Sequence, residues 1–161
     1  MVCKQGMISL SYDDLLIESS KEGLIVKEAA LTSADGRING NRIAIRQDID
    51  TTIEKACILA EELGHYHTAA GNIIMQDQTI NRKQERAGRF WAYNKQIGLI
   101  GIIRGFQRRC QNRHELAEYL QVSESFLQEA LDCYREKYGN CIDVDNYTIM
   151  FEPSLRVIKK L

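Results

Sequence analysis

Residues 56–68 leave this chain the least choice of fold. Ile53, Cys57, Ala60 and Leu63 recur at three- and four-residue steps, which is the period of one buried helix face. Asp50, Thr51 and Thr52 stand just ahead as candidate N-caps, and Glu54 is placed to complete a capping box. A helix with one apolar face must be covered, so the remaining segments have to supply a layer to pack against it. Gly64 lies inside this helix, where it costs about 1 kcal/mol relative to alanine. Something therefore needs the missing side chain at that point.

The polar side of the same helix carries chemistry. Glu61 and His65 are one turn apart on one face, and Glu62 is the next residue round. The spacing is that of H-E-x-x-H, in which side chains at i and i+4 hold zinc and the intervening glutamate handles water. Here the segment reads E-E-L-G-H, with Glu61 in the place of the first histidine. A carboxylate oxygen is an acceptable zinc donor. Two of the three histidines, His65 and His67, fall within three residues, and that concentration points to a site. His67 is the alternative ligand. It lies about 200° round the helix from His65, so it reaches the same ion only if the helix ends near Tyr66.

Composition bounds the rest. A chain of 161 residues suffices for one domain with a real core. With 44% hydrophobic and 27% charged residues it is an ordinary globular sequence. A net charge of -1 gives no bulk case for nucleic acid or anionic membrane. No apolar run reaches membrane-spanning length, and residues 1–6 lack the apolar core of a secretory signal. Five scattered cysteines without a C-x-x-C pair argue for buried thiols in a reducing cytoplasm.

Taken in order, residues 12–22 read as a helix with Leu15, Leu16 and Ser19 inward and Gly23 as its stop. A short strand follows at Leu24, Ile25 and Val26. Residues 31–35 read as a turn region. Residues 36–45 read as a tight hairpin turning at Asn39-Gly40, with Ile43 and Ile45 alternating against Arg42, Ala44 and Arg46. After the motif helix, residues 70–79 form an expected loop with apolar Ile73, Ile74 and Met75. Residues 80–96 form a second long helix with Ala87, Trp91 and Asn94 inward and Glu85 near its start. Residues 98–113 are apolar and then basic, and Arg104 and Arg108 are expected on a solvated face. Residues 114–138 hold two helices separated by Gln121-Val122-Ser123, with Ser123 as N-cap of the second. The second helix carries Glu124, Glu129, Asp132 and Glu136, and acidic faces repel phosphate. A helical hairpin packing its leucines is therefore expected in place of a DNA reader. Residues 147–160 alternate enough for a terminal strand or arm, interrupted by Pro153.

Four pieces of this sequence together resemble the ImmA/IrrE family of metallopeptidases, in its short phage and mobile-element form. They are residues 39–45 (N-G-N-R-I-A-I), residues 57–65 (C-I-L-A-E-E-L-G-H), residues 81–85 with Trp91-Ala92, and residues 115–123 (E-L-A-E-Y-L-Q-V-S). The resemblance runs from about residue 12 to residue 139. It implies a single zincin-like α+β domain: a small, mostly antiparallel sheet with the motif helix, followed by a helical C-terminal half. The catalytic core would span about 10–98, a helix-turn-helix-like extension about 99–140, and an arm 141–161. It implies a cytoplasmic zinc endopeptidase with His65 and Glu85 as metal ligands, Glu61 at the remaining ligand position, and Glu62 as catalytic glutamate. The implied substrate is a helix-turn-helix repressor of a phage or integrated element, whose cleavage relieves repression. Two anionic ligands would make zinc less electrophilic than two histidines and one glutamate, so slow turnover is expected. The strand at Ile43, Ala44 and Ile45 is the expected substrate-binding edge. Two other readings compete: a non-catalytic protein that sequesters the repressor, and a DNA-binding protein using residues 114–138.

Overall fold

The computed structural model describes residues 9–69 and 78–161, with the side chains of residues 78–80 left out. The expected loop at 70–79 falls mostly outside that range, as does the expectation for residues 1–6. Two compact units meet in sequence at Gln96 and Ile97. Both are mixtures of helix and sheet, so the chain is α+β.

The first unit begins with helix α1 (Tyr12–Lys21). Ser11 caps it, and Ser11 and Asp14 satisfy each other's backbone N–H groups in a capping box. Leu15 and Ser19 are buried as expected, but Tyr12 takes the third inward place and Leu16 is only half-buried. Gly23 ends the helix with φ +77°, a conformation that costs a glycine nothing. Strand β1 (Ile25–Ala29) runs three residues beyond the expected one. Strands β2 (Gly36–Asn39) and β3 (Arg42–Arg46) form the hairpin. Its turn sits one residue later than expected. Asn39 pairs with Arg42, so the two loop residues are Gly40 and Asn41. Gly40 has φ +60° at the first loop position, which is where a type II′ turn wants glycine.

The sheet order is β1-β3-β2. β1 is parallel to β3 and β2 is antiparallel to it. The sheet is therefore mixed, in place of the mostly antiparallel one expected. β3 is its central strand, bonded on both sides, and Ile43 and Ile45 are fully buried in the core. The expected use of Ile43, Ala44 and Ile45 as a substrate-pairing edge is thus corrected, because a central strand has no free backbone groups to offer. The two open edges of the sheet belong to β1 and β2.

Helix α2 (Thr52–Ala69) carries the motif. Thr51 Oγ1 accepts the Glu54 N–H at 3.1 Å, as the capping signal anticipates. Its inner face buries Ala56, Cys57, Leu59, Ala60, Leu63 and Gly64, and Ile53 is only half-buried. Helix α3 (Gln78–Gln96) packs closely along it. Its inward residues are Gly88, Ala92, Tyr93 and Gln96, while Ala87 and Asn94 are exposed. Trp91 is half-buried, and the closest contact with α2 is made by a glycine and not by a large side chain. Gln96 closes the unit: its amide accepts the Leu10 N–H and donates to the Leu10 carbonyl, each at 3.1 Å.

The second unit opens with α4 (Gly98–Gln107), α5 (Arg113–Leu120) and α6 (Glu124–Tyr138). Arg104 and Arg108 are both exposed, although Arg108 is the C-cap of α4 and not a helical residue. Asn112 and Ser123 cap the next two helices with side-chain oxygens. Gln121 makes the turn between them at φ +53°. The expected arm is a three-stranded antiparallel sheet, β4 (Cys141–Val144), β5 (Tyr147–Met150) and β6 (Arg156–Lys159), with a cis peptide before Pro153. Leu120, Leu127, Tyr134 and Ile149 fill its core. Of the described cysteines all are free, and Cys57 alone is buried; Cys141 is exposed. No described helix is long and apolar enough to cross a membrane.

Candidate metal centre

Two glycines build the site. A Cβ on Gly64 would stand 2.1 Å from the carbonyl oxygen of Gly88, so α2 and α3 approach backbone to backbone at that point. This is what the unfavourable glycine inside α2 is for. A Cβ on Gly88 would in turn stand 2.5 Å from His65 Nδ1. The imidazole therefore lies over the bare backbone of α3, in space that any larger residue would fill. Glu85 is three residues before Gly88, on the same helix side. His65 Nε2 and Glu85 Oε2 are consequently 3.4 Å apart. The motif helix and the following helix thus bring together two of the expected ligands. Their side chains are 25% and 49% exposed, so solvent and ligands reach them.

Glu62 faces the sheet. A Cβ on Gly36 would stand 2.6 Å from Glu62 Oε1 and 2.7 Å from Ile58 Cγ2, so glycine at the start of β2 lets α2 settle there. Arg46 N–H donates to the Asp35 carbonyl at 2.8 Å. Antiparallel pairs alternate between bonded and non-bonded, so two and three residues on, Arg37 bonds to β3 while Ile38 turns its N–H outward. That outward Ile38 N–H favours the charged form of the Glu62 carboxylate. The Glu62 carboxyl is pushed up to about 7, first by burial, then by the charges of Glu61 and Glu85, against the opposing pull of the Ile38 N–H. Half-buried Glu61 is thereby placed by its effect, since its charge reaches both Glu62 and Arg89.

His67 goes elsewhere. Its Nε2 is 3.0 Å from Glu22 Oε2 at the end of α1. Its ring stacks on Trp91, with centroids 4.7 Å apart and planes 21° from parallel. α2 continues to Ala69, so the early helix end that His67 needs in order to join His65 does not occur.

No family model, curated protein or solved structure matches this chain.

Among the described residues, no three His, Cys, Asp or Glu side chains stand together as a ready-made metal cage. The donors are nonetheless of the kind zinc takes, an imidazole nitrogen and carboxylate oxygens. The local charge also suits a cation: after burial, the charges of Glu61 and Glu85 are what push the Glu62 carboxyl up. One guanidinium partly offsets it. Arg89 Nε donates to Glu85 Oε1 at 2.9 Å. Neither Arg89 nor Gly88 is singled out by the sequence reading. Both had a signal: Arg89 follows Glu85 by four residues, the favourable order for a helical ion pair, and Gly88 is as unfavourable in its helix as Gly64 is.

Proposed function

We propose that this chain is a zincin-like, zinc-dependent endopeptidase. The observation that carries the reading is Glu62: a carboxyl held near neutrality, at the open edge of a strand, three residues from a histidine that meets Glu85. His65, Glu85 and Glu61 are the residues that would hold the metal. Bound zinc supplies Lewis acidity to the attacking water and the scissile carbonyl. The proton work belongs to the chain. A Glu62 carboxylate oxygen takes the proton of the water, and the same carboxyl returns it to the leaving amine. Burial, the first cause of its raised pKa, keeps the protonated form of the carboxyl within reach, as both tasks require. Ile38 N–H favours the charged form of that carboxylate. An extended substrate pairs with the outer edge of β2, where the backbone groups of Gly36 turn away from β3.

The substrate class, a helix-turn-helix repressor of a phage or mobile element, rests on the resemblance of the four motifs to the ImmA/IrrE family. The test is incubation of the zinc-loaded protein with such a repressor. Discrete fragments are expected with the unaltered chain and none with Glu62→Gln, which keeps zinc but cannot accept a proton. A repressor that co-elutes with the protein and stays intact would instead establish sequestration. Unchanged cleavage by Glu62→Gln would remove Glu62 from the mechanism.

A further inference from the structure

The Glu85 carboxylate is divided between two partners. Its Oε1 accepts from Arg89 Nε at 2.9 Å, while its Oε2 lies 3.4 Å from His65 Nε2. Arg89 stands one turn further along α3, so both ends of this contact are fixed to one rigid element. An unrestrained glutamate at a half-exposed position turns freely and presents either oxygen, or both. Here one oxygen is committed, and the other is left facing the imidazole.

Arg89 also answers a second problem at the site. Where a second histidine would be neutral, Glu61 adds a negative charge. The Arg89 guanidinium is paired with Glu85 and lies within reach of the Glu61 charge. The guanidinium therefore feels both carboxylates that the zinc reading assigns as ligands.

We propose that Arg89 is a positioning residue for the metal: by holding Glu85 Oε1 it presents Oε2 to the ion beside His65, and its charge offsets the anionic Glu61. This inference rests on the zinc-peptidase reading above. It explains why arginine stands here. The guanidinium offers a directional Nε–H donor, whereas a lysine ammonium is a mobile point charge.

The test uses the full chain and zinc alone, with Co2+ as a spectroscopic stand-in. Arg89→Gln is expected to weaken zinc affinity by about 10–100-fold, the range for removal of a group that orients a metal ligand. The visible spectrum of the Co2+ form should change, because Glu85 is then free to bind through either or both oxygens. Arg89→Lys keeps the charge and loses the direction, so it should recover only part of the affinity and leave the spectrum altered. Adding Glu61→His to Arg89→Gln should recover affinity further, since the charge to be offset is gone. Melting in chelator should scarcely move in any of these variants, because an exposed helical ion pair contributes little. Zinc affinity and Co2+ spectrum unchanged in Arg89→Gln, or affinity increased, would overturn the inference while leaving the peptidase reading intact. An unaltered chain that binds no zinc would overturn both.

Discussion

Glu62 and the two glycines are where single atoms decide the outcome. The Glu62 carboxyl is raised from its ordinary value to about 7, chiefly by burial and then by Glu61 and Glu85. A folded-state pKa above the unfolded one means that the folded chain binds the extra proton between the two values. Stability linked to this group is complete below the unfolded pKa and is lost as pH rises through about 7. In chelator, therefore, the unaltered protein should lose stability between about pH 4.5 and 7, and Glu62→Gln should lose less and be the more stable of the two at pH 8. Urea titrations across that range measure it, and parallel pH curves for the two proteins would contradict the assignment. Gly64 gives the opposite of the usual helix rule. Gly→Ala in an open helix gains about 1 kcal/mol. At Gly64 the new methyl meets the Gly88 carbonyl at 2.1 Å, and backbone cannot step aside. Gly64→Ala should therefore destabilise by about 1–3 kcal/mol, the range for overpacking, read as a lower denaturation midpoint at unchanged slope. A stabilised variant would mean that α2 and α3 do not meet there.

Elements differ in how openly the sequence declares them, and the reason is range. Thr51 with Glu54, Ser11 with Asp14 and Ser123 with Phe126 make contacts three residues apart, so the helix starts are readable from local spacing alone. Strand partners are not local. Nothing near residues 42–46 says that β1, rather than solvent, lies on their far side, and so β3 passes for an edge when it is the central strand. The inward side of α3 is hidden for another reason. Apolar periodicity finds side chains that fill space, and the contact with α2 is made where side chains are missing, at Gly64 and Gly88. His67 and His65 also look alike in sequence, and only the partners of each separate them. His67 is held by Glu22 and Trp91, which join the ends of α1 and α2 to α3. His67→Ala should accordingly lower stability, by losing a stacked ring and an ion pair, and leave zinc affinity near that of the unaltered chain. Glu61→Ala should do the reverse. Competition with a chromophoric chelator reads both, and a His67→Ala protein stripped of zinc would move the ligand set away from Glu61.

At the scale of the whole molecule, every residue assigned to the site lies within Leu10–Gln96, and none lies in the unit that begins at Ile97. A metal ion held at these residues would therefore have one unit to stabilise. A ligand that binds only the folded form adds RT ln(1 + [L]/Kd), about 2.7 kcal/mol when zinc is at 100 times its Kd. For a chain of this size that corresponds to a rise in Tm on the order of 5–10 °C. The proton that Glu62 holds in the apo protein at low pH subtracts from the effect there, since a cation beside the carboxylates favours the ionised form. The zinc-dependent rise should thus be larger at pH 8 than at pH 5, where protons compete for the same donors. If the two units melt separately, only the transition of Leu10–Gln96 should move; if they melt together, the single transition should move as a whole. Glu85→Ala should remove most of the rise in either case, while magnesium, which demands oxygen ligands in octahedral array, should not reproduce it. Elemental analysis of protein never exposed to chelator should find about one zinc per chain. A Tm indifferent to zinc at both pH values, in a chain that carries no zinc when purified, would end the case for a metal at His65 and Glu85.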